Sequence, residues 1–452
     1  MPQSTIPPAR LAALAALDRI RRGEDAQFAL DGQIRERKLD VRDANLASEL
    51  CYGYLRHKGR LAFCLDRFLR KPGNLPPQCR TALELAGYEA LFLERIPEFA
   101  TRSWLTNRVR KKWGGGLAKV ASAWMTWVYE QSQTLLDPDF YRRDAPNERP
   151  NELTNELTGE RTFLSRYHSL PLWIVDLWID GYGLDTASRL AEAQSSPAPL
   201  GLRINPLHPR RDALTRQVEA FAPELEILDP LSIACSRETA RRAFPDLTED
   251  TRNGAISRQS LEAQRVLRAL GAGSWPEPIW DACAGRGGKT AYLLERGQKR
   301  VLASDPNPVR LRGLVQELRR LGLSPIPAAL ARADAPPPWK EQPRTILLDV
   351  PCSGLGVLAR RPDSKWKRTP RDIPPLIALQ DRILHQAAAS LAPGGRIVYI
   401  TCTLNPNENQ SRIDHFLDNH PAFTITTHYA TPPDSPAGEF FWGAVLERKL
   451  NG

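Results

Sequence analysis

Thr345-Ile346-Leu347-Leu348-Asp349-Val350-Pro351-Cys352-Ser353-Gly354 is an apolar run that closes on a carboxylate, a proline, a thiol and a glycine. A short apolar run bounded by turn residues reads as a buried strand. One that ends this way hands over to a loop at its carboxyl edge, where open α/β sheets bind their ligands. Gly395-Arg396-Ile397-Val398-Tyr399-Ile400 repeats the pattern and ends in Thr401-Cys402-Thr403. If the two strands are neighbours, Cys352 and Cys402 face one crevice, with Asp349 beside them.

Upstream, Pro278 to Cys283 reads as a strand, followed by the glycine turn Ala284-Gly285-Arg286-Gly287-Gly288-Lys289-Thr290 and a helix carrying Leu293 and Leu294. Arg300 to Asp305 is the next strand, and Pro306 opens a helix with Leu311, Leu314, Val315 and Leu318. Strand, turn and helix in alternation predict a parallel sheet with helices on both faces. A phosphate-binding P-loop needs glycine where Cys283 stands, and the dinucleotide G-x-G-x-x-G spacing is not met. A turn that brings backbone N–H groups close to a ligand, with Asp305 at the next strand end to meet two ribose hydroxyls, suits S-adenosyl-L-methionine. Asp305 also reads as a helix N-cap ahead of Pro306.

The amino-terminal part reads as helical. Leu46, Leu50 and Tyr54, then Leu61, Leu65 and Phe68, recur at the spacing of a helix that buries one face. Arg102, Arg108, Arg110, Lys111, Lys112 and Lys119 are interleaved with Trp104 and Trp113. Such a face suits phosphate contact with base stacking, or is a solvated surface whose tryptophans turn to the core. Four degenerate polar tetrapeptides between Asn147 and Thr162 predict a flexible linker. Beyond it, Leu172, Trp173 and Trp178 suggest a helix, Leu200 to Asn205 alternates like a strand, and Arg211 to Phe221 is helical again. Expected domains are therefore 1–135 (all-α), 136–162 (linker), 163–257 (small α+β subdomain) and 258–452 (α/β).

A chain of 452 residues with net charge +10 and 25% charged residues is a multidomain globular protein suited to a polyanionic partner. It has no apolar run long enough to span a bilayer and no signal-peptide core, so a cytoplasmic protein with no membrane partner is expected. Its seven cysteines form no C-x-x-C pair and do not cluster with histidine, so neither a disulfide framework nor a metal site is expected. Arg360, Arg361, Lys365, Trp366, Lys367, Arg368 and Arg371 directly follow the Cys352 loop. They are expected either to grip the phosphates flanking an extruded nucleotide or to form a solvated loop.

Asp281 to Thr290, Asp349 to Gly354, Arg360 to Trp366, and Thr401-Cys402-Thr403 with Glu408-Asn409 resemble, in order and spacing, the successive motifs of RNA cytosine-C5 methyltransferases. Phe440 to Leu446 continues the likeness. Glu49 to Arg56 and Arg95-Ile96-Pro97 resemble a NusB-like RNA-binding domain. Together they are similar to the Sun/RsmB branch, which acts on small-subunit (16S) ribosomal RNA. The resemblance implies an all-α NusB-like bundle, a small α+β subdomain and an α/β Rossmann-like class I methyltransferase domain. It implies S-adenosyl-L-methionine as cofactor and RNA as partner; a monomer is expected.

By the same resemblance Cys402 is the nucleophile, Cys352 assists product release and Asp349 holds the base. Lys289 is a candidate for lowering a thiol pKa by its charge. Cofactor contacts carry over to Cys283, Ala284, Gly285, Arg286, Gly287, Gly288, Lys289, Asp305, Asp334 and Asp349. The residues alone do not order the two thiols, since each follows a strand. Two positions depart from the family pattern. Its Ala-Pro-Gly-Gly reads here Gly285 to Gly288, which puts the charge of Arg286 at the methionine end of the site, and its glutamine-aspartate pair reads Gln259-Ser260. Alternatives are a transfer-RNA cytosine-C5 methyltransferase, or a NusB-like RNA-binding or assembly protein with an impaired catalytic domain.

Overall fold

The computed structural model describes residues 7–142, 156–435 and 437–449. The chain divides into two compact units, one of residues 1–196 with 361–368, the other of residues 197–360 with 369–452.

The first unit is helical. Its longest helix, Val41–Phe68, starts at Asp40, whose carboxylate accepts from Asp43 N, and buries Leu50, Tyr54, Leu61 and Leu65, the stripe its apolar spacing requires. Helices Pro8–Arg21, Pro77–Phe92 and Glu98–Trp113 meet at a buried carboxylate. Glu89 accepts two bonds from Arg10, at 2.7 and 2.9 Å, one from Thr101 Oγ1 and one from Trp104 Nε1. A buried charge satisfied this completely orders a core, and removing one partner would leave the others unpaired. Trp104 is thus a core residue, 2% exposed, and of the two readings of the basic face the stacking one does not hold for it. Trp113 is half-buried, with Lys112 Nζ 4.9 Å from its ring.

The expected linker and subdomain are divided differently. Helices Asp139–Arg142 and Glu156–Tyr167 occupy the two ends of the 136–162 stretch or run past it, while 143–155, with most of the tetrapeptides, lies outside the described residues. Aromatic stacking explains the helical end: Phe163 stacks on Tyr167 at 5.4 Å, and Tyr167 packs on Tyr141 at 5.5 Å. Helices Leu172–Tyr182 and Leu184–Ala193 belong to the helical unit. Only the strands after them belong to the second.

The second unit opens with β1 (Leu200–Ile204), β2 (Glu226–Asp229), β3 (Ser232–Cys235) and β4 (Ile256–Arg258), an antiparallel sheet in the order β2-β3-β1-β4. Leu202, Ile204, Ile233 and Ile256 bury one face against Leu214, Val218 and Phe244. There follow β5 (Ile279–Asp281), β6 (Val301–Ser304), β7 (Ala328–Ala329), β8 (Thr345–Asp349), β9 (Arg396–Thr401), β10 (Phe423–Ala430) and β11 (Trp442–Arg448). They form one sheet in the order β10-β11-β9-β8-β5-β6-β7. β5 to β9 pair in parallel with one another, whereas β11 is antiparallel to both β9 and β10. The expected parallel sheet is thus joined at one edge by an antiparallel pair, β10 and β11. The loop after β10 returns β11 directly between β10 and β9, with no helical crossover to keep it parallel. Strand order reverses at β5, the topological switch point at which open α/β sheets place a ligand.

Candidate active site

The first wall of the crevice is the turn after β5. Gly285 and Gly287 adopt φ +57° and +86°, left-handed values that cost any other residue strain, and a Cβ on Gly287 would lie 2.9 Å from Leu314 Cγ. The turn is fastened by Asp305, whose Oδ2 accepts from Gly285 N at 3.0 Å and whose Oδ1 accepts from Asn307 N at 2.7 Å. Asn307, not Asp305, caps the helix Pro308–Arg320, accepting from Val309 N and Arg310 N. Asp305 was legible as either; the cap falls two residues on because Pro308, not Pro306, takes the first helical position.

Carboxylates dominate this end of the crevice. Asp281 is buried, and burial pushes it up to about 7; its Oδ2 accepts from Thr290 Oγ1 at 2.6 Å, and among the described residues its Oδ1 has no hydrogen-bond partner. Burial, then the charges of Asp281, Asp349 and Asp305, holds the Cys283 thiol well above the ordinary range.

The second wall is formed by the ends of β8 and β9, which pair in parallel with Asp349 opposite Ile400. That register brings Cys352 and Cys402 to an Sγ–Sγ distance of 3.4 Å. The hydrogen bond to Cys402, with burial, pushes the Cys352 thiol well up. Asp349 Oδ2 accepts from Lys289 Nζ at 2.6 Å. Burial disfavours the charge on Lys289, but Asp349 and then Cys402 outweigh it and raise its pKa. Lys289 also lies 5.6 Å from the Phe441 ring.

Other expected residues are placed differently. Arg286 is exposed, and its methylenes cover Gly313 of the following helix. Asp334 is held by Arg332 at 2.7 Å and Arg382 at 3.2 Å, and the Arg332 hydrogen bond pulls it down to about 2. Arg360 pairs with Glu439 at 2.7 Å, and Lys365 and Trp366 bond into the helical unit, as described below.

Residues with no single-sequence signal complete the frame. Arg203 on β1 pairs with Glu295 at 2.6 Å, both buried, and bonds Gln259 and the Gly288 carbonyl. It thereby supports the first turn of the helix after the glycine turn. Gln259 is thus used, while Ser260 caps the next helix through Ala263 N.

A cationic sulfonium cofactor fits this crevice. Three carboxylates lie around Cys283. The space before the turn is open, since a Cβ on Gly285 would meet nothing nearer than Cys283 O at 4.0 Å. Each Asp305 oxygen keeps a lone pair beyond its backbone bond. The fold and this crevice define an S-adenosyl-L-methionine-dependent methyltransferase of the doubly wound class.

Residues 273–439 match the model of the 16S rRNA methyltransferase RsmB/F family, and residues 7–121 match that of the NusB family. The chain is 31% identical over 436 residues to a probable ribosomal RNA small subunit methyltransferase B of Synechocystis sp., covering 91% of this chain and 89% of that one. It is 32% identical to the ribosomal RNA small subunit methyltransferase B of Vibrio cholerae, covering 92% of each. A methyltransferase homolog protein from Pyrococcus horikoshii shares the fold at TM-score 0.54 and 24% identity, over 66% of this chain and all of that one. The chain belongs to the 16S rRNA methyltransferase RsmB/F family. Among the described residues no helix is long and apolar enough to cross a membrane.

Proposed function

We propose that this protein methylates cytosine C5 in small-subunit ribosomal RNA through a transient bond between Cys402 and the base. The observation that carries the reading is the pair of thiols 3.4 Å apart at neighbouring strand ends, beside Asp349 and Lys289. Cytosine C5 is too weak a nucleophile to take a methyl group unaided. Attack of the Cys402 thiolate on C6 forms an S–C6 bond and moves the C5=C6 electron pair toward C5 and N3. The thiol proton passes through solvent to N3, from which it is lost to solvent again as Cys402 departs, and the ammonium of Lys289 favours the thiolate. Asp349, bridged to that ammonium, offers an acceptor to the N4 amino group and to the N3–H of the adduct.

Bound S-adenosyl-L-methionine supplies an electrophilic methyl group and leaves as a neutral thioether. C5 takes that methyl; Cys352 then assists removal of the C5 proton, the C5–H pair restores C5=C6, and Cys402 departs as thiolate. Asp305 and the backbone of Cys283 to Lys289 are the groups that would hold the cofactor. Asp334 would reach its adenine amino group with the lone pairs that Arg332 and Arg382 leave.

The test compares Cys352→Ala with Cys402→Ala on denaturing gels after incubation with RNA and cofactor. Cys352→Ala is expected to trap an enzyme–RNA adduct, while Cys402→Ala forms none; the opposite pattern reverses the roles. Methyl transfer to separated ribosomal and transfer RNA decides the substrate class.

A further inference from the structure

Two thiols in one crevice raise a question the catalytic groups leave open: what makes one attack and the other wait. Glu408 lies between their loops and is fully buried. Its Oε2 accepts from Ser353 N, the residue after Cys352, at 2.8 Å, and from Gln380 Nε2 at 3.0 Å. Its Oε1 accepts from Asn405 Nδ2, on the Cys402 side, at 2.9 Å. Gln380 Nε2 also donates to Pro351 O at 2.9 Å, and Ser353 Oγ bonds Thr403 Oγ1 at 2.6 Å. Three neutral N–H donors from three segments converge on this carboxylate, and among the described residues no lysine or arginine pairs with it.

We propose that Glu408 is a positioning residue that clamps the Cys352 loop to the Cys402 loop and, by its unneutralised charge, keeps Cys352 a thiol while Cys402 ionises. A buried carboxylate without a cation casts its potential on the nearest titratable groups. The groups facing Cys352 are Cys402, Glu408 and Tyr399, with the Lys289–Asp349 pair at the neighbouring strand ends. Glu408 acts in the same direction as the Cys402 contact and burial on the Cys352 thiol. Lys289 answers to Cys402 and so favours ionisation of that sulfur.

The inference rests on the thiol chemistry of the proposed function, but its alkylation test needs no RNA. The full-length protein is alkylated with iodoacetamide across a pH series, and Cys352 and Cys402 are followed separately by peptide mass spectrometry. Glu408→Gln removes the charge and is expected to move the Cys352 midpoint down by about one pH unit. Glu408→Asp keeps the charge; it is expected to leave that midpoint in place while kcat falls about tenfold through the loosened clamp. An unmoved midpoint in a folded Glu408→Gln protein, or equal shifts in both variants, overturns the proposal. If Glu408→Gln does not fold, a shifted midpoint in Glu408→Asp overturns it alone. Absence of any RNA adduct in the Cys352→Ala protein would sink the cytosine reading and leave this result standing.

Discussion

Gly356 shows how narrowly the thiol crevice is built. Its N–H donates to Cys402 O at 3.0 Å and its carbonyl accepts from Phe440 N at 2.8 Å, so one residue laces the Cys352 loop to both neighbours. A Cβ there would lie 2.2 Å from Phe440 O and 2.9 Å from Cys402 O, both backbone atoms that cannot swing aside. Gly356→Ala is expected to cost about 1–3 kcal/mol, read by thermal unfolding, and to abolish methyl transfer at temperatures where the variant is still folded. Full activity in a folded Gly356→Ala protein would show that the sulfur spacing does not matter. Cys352, Cys402, Asp349 and Lys289 stand out in the sequence, and the fold brings them together. Gly356 does not stand out there, because only the folded chain shows whose carbonyl occupies the place of its missing side chain.

At the scale of elements, the segment after the Cys352 loop corrects an expectation. Its short helix Ser364–Lys367 is counted with the helical unit. There Trp366 Nε1 donates to Leu55 O at 2.7 Å and Lys365 Nζ to Arg56 O at 2.9 Å, both carbonyls of the helix Val41–Phe68. Lys365 is 2% exposed, and burial, then the charge of Arg56, pulls it down to about 7. A run of cations reads as a phosphate grip, but a buried ammonium spent on a helix carbonyl cannot serve as one. Between about pH 7 and its unperturbed value near 10.5 the unfolded chain holds a proton that the folded chain lacks, so Lys365 makes stability rise with pH across that window. Lys365→Met should remove that dependence: denaturant melts at pH 7 and pH 9.5 are expected to differ less in the variant than in the wild type. Equal pH dependence in the two proteins would mean the ammonium is solvated.

For the whole molecule, the net charge of +10 bears on how an RNA is held rather than on which one. If six to ten phosphates are contacted, raising salt from about 50 to 200 mM should weaken RNA binding on the order of a thousandfold or more, measured by filter retention. A flat response would place recognition in the base contacts alone.

The family, the helical and α/β halves and the two sulfurs were legible in the order of residues, because strand periodicity, glycine turns and motif spacing are local properties of the chain. The division at residue 196, the antiparallel edge β10-β11, the burial of Lys365 and the convergence of Ser353, Gln380 and Asn405 on Glu408 were decided only by tertiary packing. Each depends on which distant backbone amide or carbonyl comes within hydrogen-bonding reach, and no window along the sequence contains both partners.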